Sequence, residues 1–245
     1  MNLTNNTILI TGGASGIGFA LAKRFIQAKN KVIICGRRME QLEKAKKECP
    51  EIHIIQCDVS LESERKSLFQ TVSRDFPELN VLINNAGIQN RPPQLRETQD
   101  WEMHAKEIEI NLKAPMHLAM LFIPFLMNQT SPAIMNVSSG LAFCPISFMP
   151  TYCATKAALH SFTLSLRHQL SKTAIKVVEI IPPAVNTDLG GVGLHNDGTP
   201  LDVFADHAVA QIAKGELEFG FGFSEKGRLA SREEINGLFS MLNKG

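Results

Sequence analysis

The only tyrosine of this 245-residue chain, Tyr152, is followed four residues later by Lys156. If this stretch is helical, the two side chains lie on the same face of the helix, about one turn apart. A cation at that distance favours the ionised form of a phenol, whose ordinary pKa is about 10. Such a tyrosine can exchange a proton with a substrate oxygen near neutral pH. The pair indicates acid–base chemistry, although the same spacing also arises by chance on helices.

A glycine-rich segment near the start of the chain is the second feature with a chemical interpretation. It follows the apolar run Thr7 to Thr11, which is typical of a buried strand, and it precedes apolar residues at helical spacing. Glycines let the backbone approach a pyrophosphate, and a helix N-terminus offers free N–H groups at the positive end of its dipole. Between a strand and a helix, the cluster predicts a nucleotide site. The residues of this predicted site are Gly12, Ser15, Gly16, Ile17 and Gly18.

A second predicted strand, Lys31 to Cys35, is followed by Gly36, Arg37 and Arg38. In a dinucleotide-binding fold this position contacts the adenosine ribose, where an acidic residue selects a free 2′-hydroxyl group. No acidic residue is present, and guanidinium groups suit a 2′-phosphate because they bind it through two parallel hydrogen bonds. The sequence therefore predicts NADP as cofactor, with NAD possible. The alternative is that the two arginines only begin a solvated helix from Met39 to Glu48.

Two further predicted strands end in residues that suit a ligand crevice. Ile52 to Cys57 precedes Asp58 and Val59, and Val81 to Ile83 precedes the segment Asn84 to Gly87. Asp58 can accept a hydrogen bond from an adenine amino group or cap the following helix, and both interpretations stay open. Small and amide residues at the end of a parallel strand suit a ligand, and they also suit an ordinary turn.

A long helical region is predicted from Trp101 to Met127, with much of its surface apolar. Asn111 lies within it, and asparagine is a poor residue inside a helix because its amide competes for backbone hydrogen bonds. Asn111 is either solvated or a site residue on a distorted turn that faces the crevice. The excess apolar surface of the region predicts a partner helix and so a subunit interface.

A fifth predicted strand, Ala133 to Val137, ends at Ser138 and Ser139, again at the edge of the sheet where ligands bind. The helix that carries Tyr152 and Lys156 is predicted to run from Pro150 to about Leu170. The remaining predicted elements are a sixth strand from Ile175 to Ile181, a helix from Leu201 to Lys214, a last strand from Glu216 to Phe221 and a closing helix from Ser231 to Leu242. A segment at about 188–215, with a glycine-rich part from Gly190 to Gly198, is predicted to form a mobile lid over the substrate.

Composition limits the class of protein. The length suits one large α/β domain over residues 1–245, and the 44% apolar and 20% charged residues are those of a soluble globular protein. A formal net charge of +1 argues against nucleic acid or an anionic membrane as the main partner. Five widely spaced cysteines without a C-x-x-C pair, and no signal peptide, predict a cytoplasmic protein with reduced thiols. The histidine spacing predicts no metal site.

Together these motifs resemble the classical short-chain dehydrogenase/reductase family over essentially the whole chain. The motifs that carry the resemblance are Thr11-Gly12-x-x-x-Gly16-Ile17-Gly18, Asn84-Asn85-Ala86-Gly87, Asn111, Ser139 and Tyr152-x-x-x-Lys156. The resemblance implies a Rossmann-like, doubly wound α/β fold whose seven parallel strands have the order 3-2-1-4-5-6-7, with helices on both faces. The tail from Ser231 to Asn243 is similar to a reductase subgroup encoded near bacterial teichoic-acid D-alanylation genes.

The resemblance also implies residue roles. Tyr152 is expected to act as acid and base, and Lys156 to hold the cofactor ribose and lower the pKa of the tyrosine. Ser139 is expected to orient the substrate oxygen, and Asn111 to position a water molecule in the proton path. Thr187 is expected to bind the nicotinamide carboxamide. The other implied cofactor-binding residues are Asp58, Val59, Asn85, Ala86, Gly87, Pro182 and Val185.

The expected function is hydride transfer between NADP(H) and a carbonyl or alcohol substrate, in a homodimer or homotetramer. The alternative is a non-catalytic dinucleotide sensor or scaffold on the same fold, since a fold does not dictate a function. Pro183 stands where the family usually has glycine, and proline provides no N–H donor at the nicotinamide end of the site. Apolar residues suggest an apolar substrate, or else only loop packing: Leu141, Phe143, Phe148, Met149, Leu189, Val192 and Leu194.

Overall fold

A computed structural model of the protein describes residues 3–92, 94–98 and 100–243. The limits of the predicted domain at residues 1 and 245 lie outside the described residues. The strands are β1 (Thr7–Thr11), β2 (Lys31–Gly36), β3 (His53–Gln56), β4 (Val81–Asn84), β5 (Ala133–Val137), β6 (Lys176–Ile181) and β7 (Glu218–Gly220). The helices are α1 (Gly16–Gln27), α2 (Met39–Glu48), α3 (Glu62–Asp75), α4 (Trp101–Ile108), α5 (Ala114–Leu126), α6 (Pro150–Gln169), α7 (Leu201–Lys214), α8 (Phe223–Leu229) and α9 (Arg232–Leu242).

All strands pair in parallel in one seven-stranded sheet with the order β3-β2-β1-β4-β5-β6-β7. One face of the sheet packs against α1, α2 and α7, and the other packs against α3, α5 and α6. Because both faces are covered, the central strands are nearly continuous apolar runs, as expected for a parallel sheet. The predicted fold class and strand order are confirmed.

The edge strands are shorter than predicted. The third strand covers His53–Gln56 instead of residues 52–57, and the last covers Glu218–Gly220 instead of residues 216–221. An edge strand has a hydrogen-bonding partner on one side only, so its pairing ends where the single neighbouring strand ends. The α8 helix was not predicted from the sequence, because its seven residues are too few to show helical periodicity.

The long helical region is interrupted where the sequence places its asparagine. A π-helical turn, Glu109–Lys113, joins α4 to α5 and contains Asn111. Such turns insert an extra residue into a helix and occur frequently at functional sites. Within the described ranges, no helix is both long and apolar enough to cross a membrane. All five cysteines are unpaired.

One row of the sheet is polar across four neighbouring strands. The strand register aligns Asn84, Asn136, Glu179 and Glu218. Asn136 accepts a hydrogen bond from Asn84 and donates one to Thr163 of α6, both at 2.9 Å. Glu179 and Glu218 are also bonded to side chains of α6. Because buried polar groups require their partners, this row fixes how α6 lies on the sheet.

Candidate active site

Tyr152 and Lys156 lie on the first two turns of α6, above the end of β5. Both side chains are buried. The Lys156 ammonium donates to the carbonyl oxygen of Val137 at 2.9 Å and lies 5.7 Å from the centroid of the Tyr152 ring. The helical spacing therefore brings the two side chains to one face, as the sequence predicted.

The electrostatics of the pair differ from the expectation. Burial raises the pKa of Tyr152, and a hydrogen bond with Ser139 lowers it by less. The charge of Lys156 is directed at the Val137 carbonyl and does not lower the pKa of the phenol as expected. Burial lowers the pKa of Lys156 itself to about 8, against the opposing effect of Glu107 and Glu179. A neutral phenol beside a buried ammonium is the resulting arrangement.

Ser139 is held at the end of β5 by the backbone on both sides of it. The N–H groups of Ser138 and Gly140 each donate at 2.9 Å to carbonyl oxygens of Ile180 and Pro182. The Ser139 hydroxyl accepts a hydrogen bond from the Leu141 N–H group at 3.1 Å. The β5–β6 pairing therefore continues past the serine and fixes its hydroxyl beside Tyr152.

Asn111 is fully buried, which excludes the solvated alternative. Its amide binds both backbone groups of Ile88, accepting at 2.9 Å and donating at 2.8 Å, and it donates to Thr155 at 3.3 Å. A Cβ atom placed on Gly87 would lie 3.4 Å from Asn111 Oδ1 and 3.6 Å from Lys156 Nζ. The asparagine, the glycine and the lysine are thus neighbours at the end of β4.

The glycine-rich turn is packed against the segment that follows β4. Gly12 has a φ angle of +63°, and an added Cβ would lie 2.8 Å from the Ala86 Cα atom. The Asn85 amide donates to the carbonyl oxygens of Thr11 and Gly12 at 2.9 and 3.1 Å. Asn85 and Ala86 therefore support the turn, and the Asn85 amide hydrogens are used for that purpose.

The start of α1 offers unused hydrogen-bond donors. Ser15 is the N-cap residue, its hydroxyl makes no capping hydrogen bond, and the first turn contains no acidic residue. An added Cβ on Gly16, whose φ angle is +52°, would lie 3.5 Å from Thr187 Cγ2, so the loop after β6 faces this helix end. Free N–H groups without a carboxylate suit a phosphate. These residues fit the pyrophosphate of a dinucleotide.

The predicted adenosine end contains Asp58 and the two arginines. Asp58 accepts hydrogen bonds from the N–H group and the hydroxyl of Ser60 at 3.0 and 2.7 Å. Burial opposes these bonds, but together with the charge of Arg37 they hold the pKa of Asp58 below its ordinary value. The prediction that Asp58 caps the next helix is wrong, because α3 begins after Leu61 and Asp58 caps a turn. Its contact with adenine stays a prediction, as does that of buried Val59.

Two buried glutamates near Lys156 were missed. Glu107 accepts a hydrogen bond from the Asn90 N–H group at 2.9 Å, and burial raises its pKa while Lys156 lowers it. Glu179 is fully buried in β6. The signal for Glu179 was a charged residue inside an apolar strand, and the signal for Glu107 was its position one turn before Asn111.

The predicted lid segment contains two structural parts. Residues 186–198 form a loop closed at its base by a bridge between Val185 and Thr199, and His195 of this loop contacts the Gln89 side chain at 3.1 Å. From Leu201 onward the segment is α7, whose buried face packs into the core. Val185 is also a core residue, so only its backbone can face a cofactor. The lid function stays a prediction.

The apolar residues proposed to line the substrate site differ in position. Phe143 contacts His160 with ring centroids 4.6 Å apart and the rings tilted by 59°, and Met149 is buried, so these two contribute to loop packing. Phe148, Val192 and Leu194 are exposed at the surface of the two loops. A cavity of about 370 Å³ lies on the opposite side of α6 from the tyrosine and is lined by Leu141, Ala142, Pro145, Ile146, Ser147, Pro150, Cys153, Ala154, Ala157 and Phe239.

Comparison with known proteins gives a consistent family. A family model described as short chain dehydrogenase matches residues 6–194. The chain is 44% identical to the uncharacterized oxidoreductase DltE of Bacillus subtilis (strain 168) over 248 residues, which covers 99% of this chain and 98% of DltE. It is 30% identical to the NADP-dependent 3-hydroxy acid dehydrogenase YdfG of Escherichia coli (strain K12), over 78% of this chain and 77% of that protein.

A solved structure with a similar fold contains a nicotinamide cofactor. The 3-ketoacyl-(acyl-carrier-protein) reductase of Brucella melitensis, complexed with NADH, superposes with a TM-score of 0.81 at 25% sequence identity. The match covers 91% of this chain and 99% of the reductase. NADH in one similar protein and NADP in the description of another leave the choice between the two cofactors open.

Replacement of Gly18 by alanine tests the cofactor cradle. The new Cβ atom would lie 2.4 Å from Asn85 Nδ2 and 2.6 Å from the Gly12 carbonyl oxygen, so the turn must shift. Alanine inside a helix otherwise stabilises by about 1 kcal/mol relative to glycine. We expect Gly18→Ala to lower both the melting temperature and the affinity for NADPH, measured by scanning fluorimetry and nicotinamide fluorescence.

The matched control is Gly237→Ala in α9, where an added Cβ would contact nothing within 4 Å. It should keep or raise the melting temperature and leave NADPH affinity unchanged. Equal affinities for NADPH in Gly18→Ala and the wild type would show that the turn does not hold the cofactor.

Proposed function

The chain belongs to the short-chain dehydrogenase family, in the subgroup of DltE-like oxidoreductases, and from that premise we propose that it transfers a hydride between NADP(H) and a carbonyl or alcohol substrate. The observation that carries the proposal is the convergence of Tyr152, Ser139 and Lys156 at the carboxyl edge of the sheet. Ligands of open α/β sheets bind at this edge. Asn111 completes the set through its bonds to Ile88 and Thr155.

The residues that would hold the dinucleotide are those of the glycine-rich turn and the start of α1, together with the loop after β6. A bound nicotinamide supplies or accepts the hydride. Ser139 orients the substrate oxygen and Tyr152 gives it a proton, because a phenol whose pKa is raised by burial stays protonated at neutral pH. Lys156 supplies the positive charge beside them. A protonated donor at rest suits carbonyl reduction.

The proposed preference for NADP rests on the surface at the end of β2. Arg37 and Arg38 are exposed, and in the described part of the chain neither pairs with a carboxylate. Gly36, directly before them, offers no acidic group to a ribose hydroxyl. A 2′-phosphate would therefore meet one or two guanidinium groups, whose attraction opposes any repulsion from Glu40 in the first turn of α2 and from Asp58.

The substrate is proposed to be a small carbonyl or alcohol compound. Exposed Phe148 in the loop before α6, and exposed Val192 and Leu194 in the 186–198 loop, suit a substrate whose main part is apolar. A cation lies beside them. The Arg91 guanidinium is 5.7 Å from the ring centroid of Phe148, and its charge adds to the effect of burial in lowering the pKa of His195 in the 186–198 loop. The Arg91 guanidinium suits a substrate that also carries a carboxylate, and the relative YdfG is a 3-hydroxy acid dehydrogenase. A panel of apolar ketones and 3-keto acids, followed by NADPH absorbance, separates the two substrate classes.

The second function considered is a dinucleotide sensor without catalysis. A sensor needs the glycine-rich turn and the adenosine pocket, but not a buried tyrosine hydrogen-bonded to a serine beside a buried lysine. Buried ionisable groups carry a free-energy cost, and those in clefts with shifted pKa values cluster at functional sites. This cost favours the enzyme.

A homodimer or larger assembly is proposed from apolar surface on neighbouring helices. Met120 of α5 and Leu164 of α6 are exposed by 59% and 42%, and Met127 follows α5 with 51% exposed. Partly buried Leu121, Ile123 and Phe125 extend this surface. Helix faces of this kind are usually covered by a partner helix.

Replacement of Tyr152 by phenylalanine tests the proposed proton donor. The ring is kept and the proton is removed, so we expect a loss of kcat of about 10² or more, since general acids contribute about 10²–10⁴-fold. NADPH affinity should stay within about twofold of the wild type, because the ring still fills its buried position. Steady-state rates on a confirmed substrate and fluorescence titration measure the two effects. More than about a tenth of wild-type kcat would contradict the assignment.

Replacement of Arg37 by alanine tests the cofactor preference. A hydrogen bond to a charged group contributes about 1.5–3 kcal/mol, or about ten- to a hundredfold in affinity. We expect the wild type to prefer NADPH, and Arg37→Ala to weaken NADPH by about that factor with NADH unchanged. Added salt should narrow the preference because the pair is exposed.

The double variant with Arg38→Ala removes any shared contact with the phosphate. Lys47→Ala is the matched control, since it removes an exposed charge of the same sign from the far end of α2. Equal affinity of the wild type for NADH and NADPH would refute the preference and leave the arginines as solvated residues.

Sedimentation at micromolar concentration tests the assembly. We expect a species at least twice the 27.0 kDa of one chain, and Met120→Lys should shift it toward the monomer. Val192→Lys is the matched control, because Val192 is an exposed apolar residue on a loop away from these helices. A 27.0 kDa wild type would count against the proposal.

A further inference from the structure

Glu179 is a buried carboxylate for which the proposed reaction has no role. It lies in the middle of β6 with no solvent-exposed surface. Its Oε1 atom accepts a hydrogen bond from the Ser138 hydroxyl at 2.5 Å, and its Oε2 atom lies 2.8 Å from His160 Nδ1. Burying a carboxylate is costly unless it is paired and hydrogen-bonded. Both oxygens are used, and both partners belong to segments that carry the site.

His160 connects this carboxylate to the catalytic helix. It lies one turn after Lys156 on α6, and its ring contacts that of Phe143 in the loop that follows Ser139. The hydrogen bond with Glu179 raises the pKa of His160, against the opposing effect of burial. The Glu179 carboxylate thus favours the protonated form of His160 as its counter-ion, and the contact with Phe143 connects this pair to the loop between Ser139 and α6.

The surrounding charges determine whether the pair is charged. Glu218 of β7 is bonded to Arg167 and Arg228, at 3.0 and 3.5 Å, and these guanidinium groups already balance it. Glu225 pairs with Arg228 at 2.6 Å. The charged groups that act on the pair are Lys156 and Arg167 of α6 and Glu218 of β7, while Glu225 and Arg228 of α8 are paired with each other. Since Glu218 is already paired, His160 at 2.8 Å and Lys156 remain as the groups that can neutralise Glu179.

A metal ion is the competing interpretation of the same side chains. Ligand atoms of His160, Glu179 and Glu218 all lie within 4.8 Å of one another. Two guanidinium groups bound to Glu218 oppose a second cation, and the hydroxyl of Ser138 already uses one Glu179 oxygen. The hydrogen bonds therefore favour the ion pair over a metal site.

We propose that Glu179 and His160 are positioning residues that hold the end of β5 and the substrate loop in register with the helix that carries Tyr152 and Lys156. Through Ser138 the pair fixes the residue directly before Ser139. Through Phe143 it fixes the loop between Ser139 and α6, which is proposed to face the substrate. This role rests on the proposed function, because positioning matters only if Tyr152 and Ser139 act on a substrate. The presence of the ion pair itself does not depend on that function.

The first experiment measures the ion pair without using activity. The titration of the His160 ring is followed by NMR, with His160→Gln identifying its signal among the seven histidines. We expect a pKa of His160 above 6.5 in the wild type and a lower pKa in Glu179→Gln, where the largest raising effect is lost and burial still lowers the pKa. The stabilisation is present below about pH 6.5 and is lost as pH rises through the raised pKa of His160. His160→Gln should remove this pH-dependent change in melting temperature.

The same His160 pKa in Glu179→Gln as in the wild type would overturn the ion pair, and this outcome does not depend on activity. A rise in the melting temperature of the wild type with Zn²⁺, absent in Glu179→Gln, also overturns it in favour of a metal site. If Glu179→Gln does not fold, His160→Gln carries the test through the pH dependence of its melting temperature, since it removes the other half of the pair.

The second experiment measures positioning on a confirmed substrate. We expect His160→Gln and Glu179→Gln each to lower kcat by about tenfold or more with KM little changed, since small misplacements of catalytic groups cost up to about a hundredfold. The double variant should be no worse than the worse single variant. Glu179→Gln should also move the alkaline limb of the kcat profile to lower pH, because it removes a charge that raises the pKa of Lys156.

His207→Gln is the matched control. His207 of α7 is a half-buried histidine with its own aromatic contact, 4.9 Å from the Phe221 ring, and it bonds the Gly220 carbonyl. It should keep wild-type kcat. Wild-type kcat in a folded Glu179→Gln or His160→Gln would overturn the positioning role while leaving the proposed function intact.

Discussion

The buried ammonium group of Lys156 is the interaction on which the site depends. It ties α6 to the end of β5 through the Val137 carbonyl, and it sets the charge beside Tyr152. Burial alone would remove its proton at lower pH, and Glu107 and Glu179 oppose that loss from two different elements. The active charge state is thus a property of the packed domain and cannot arise from the Tyr-x-x-x-Lys spacing by itself.

A second constraint is the edge of the parallel sheet, where loops from separate strands must approach closely. Gly87 lies beside both Asn111 and Lys156, since an added Cβ would contact each of them at 3.4 and 3.6 Å. The π-helical turn aims Asn111 inward, and its amide holds the chain after β4 through Ile88. Nearby, the polar row of the sheet fixes α6 through Asn136 and Glu179. These contacts convert strand ends into a site with a defined shape.

The sequence predicted what depends on local pattern. Apolar periodicity and turn residues placed the strands and helices. The poor fit of Asn111 to a regular helix left two alternatives, and the structure contains the distorted turn of one of them. The length of β3 and β7 could not be predicted, because it depends on how far a neighbouring strand extends. The alternative in which Asp58 caps α3 is wrong, because the observed N-cap is Leu61, three residues later.

The electrostatics of the site were the least predictable part. Spacing along one helix suggested that Lys156 lowers the pKa of Tyr152. In the folded protein burial raises this pKa by more than the hydrogen bond with Ser139 lowers it. Glu107 comes from α4 and Glu179 from β6, so their effect on the lysine requires knowing how three elements pack. The sequence indicates which side chains can take part in chemistry, whereas the charge states of these side chains follow from tertiary structure.

Transfer of a labelled hydride tests the central claim most directly. NADPH carrying deuterium at the transferable C4 position is incubated with the protein and a panel of carbonyl compounds, and the products are examined by mass spectrometry. The account predicts an alcohol that contains one deuterium with the wild type and no such product with Tyr152→Phe. Binding of NADPH by the wild type without deuterium in any product, or equal transfer by both proteins, would contradict it.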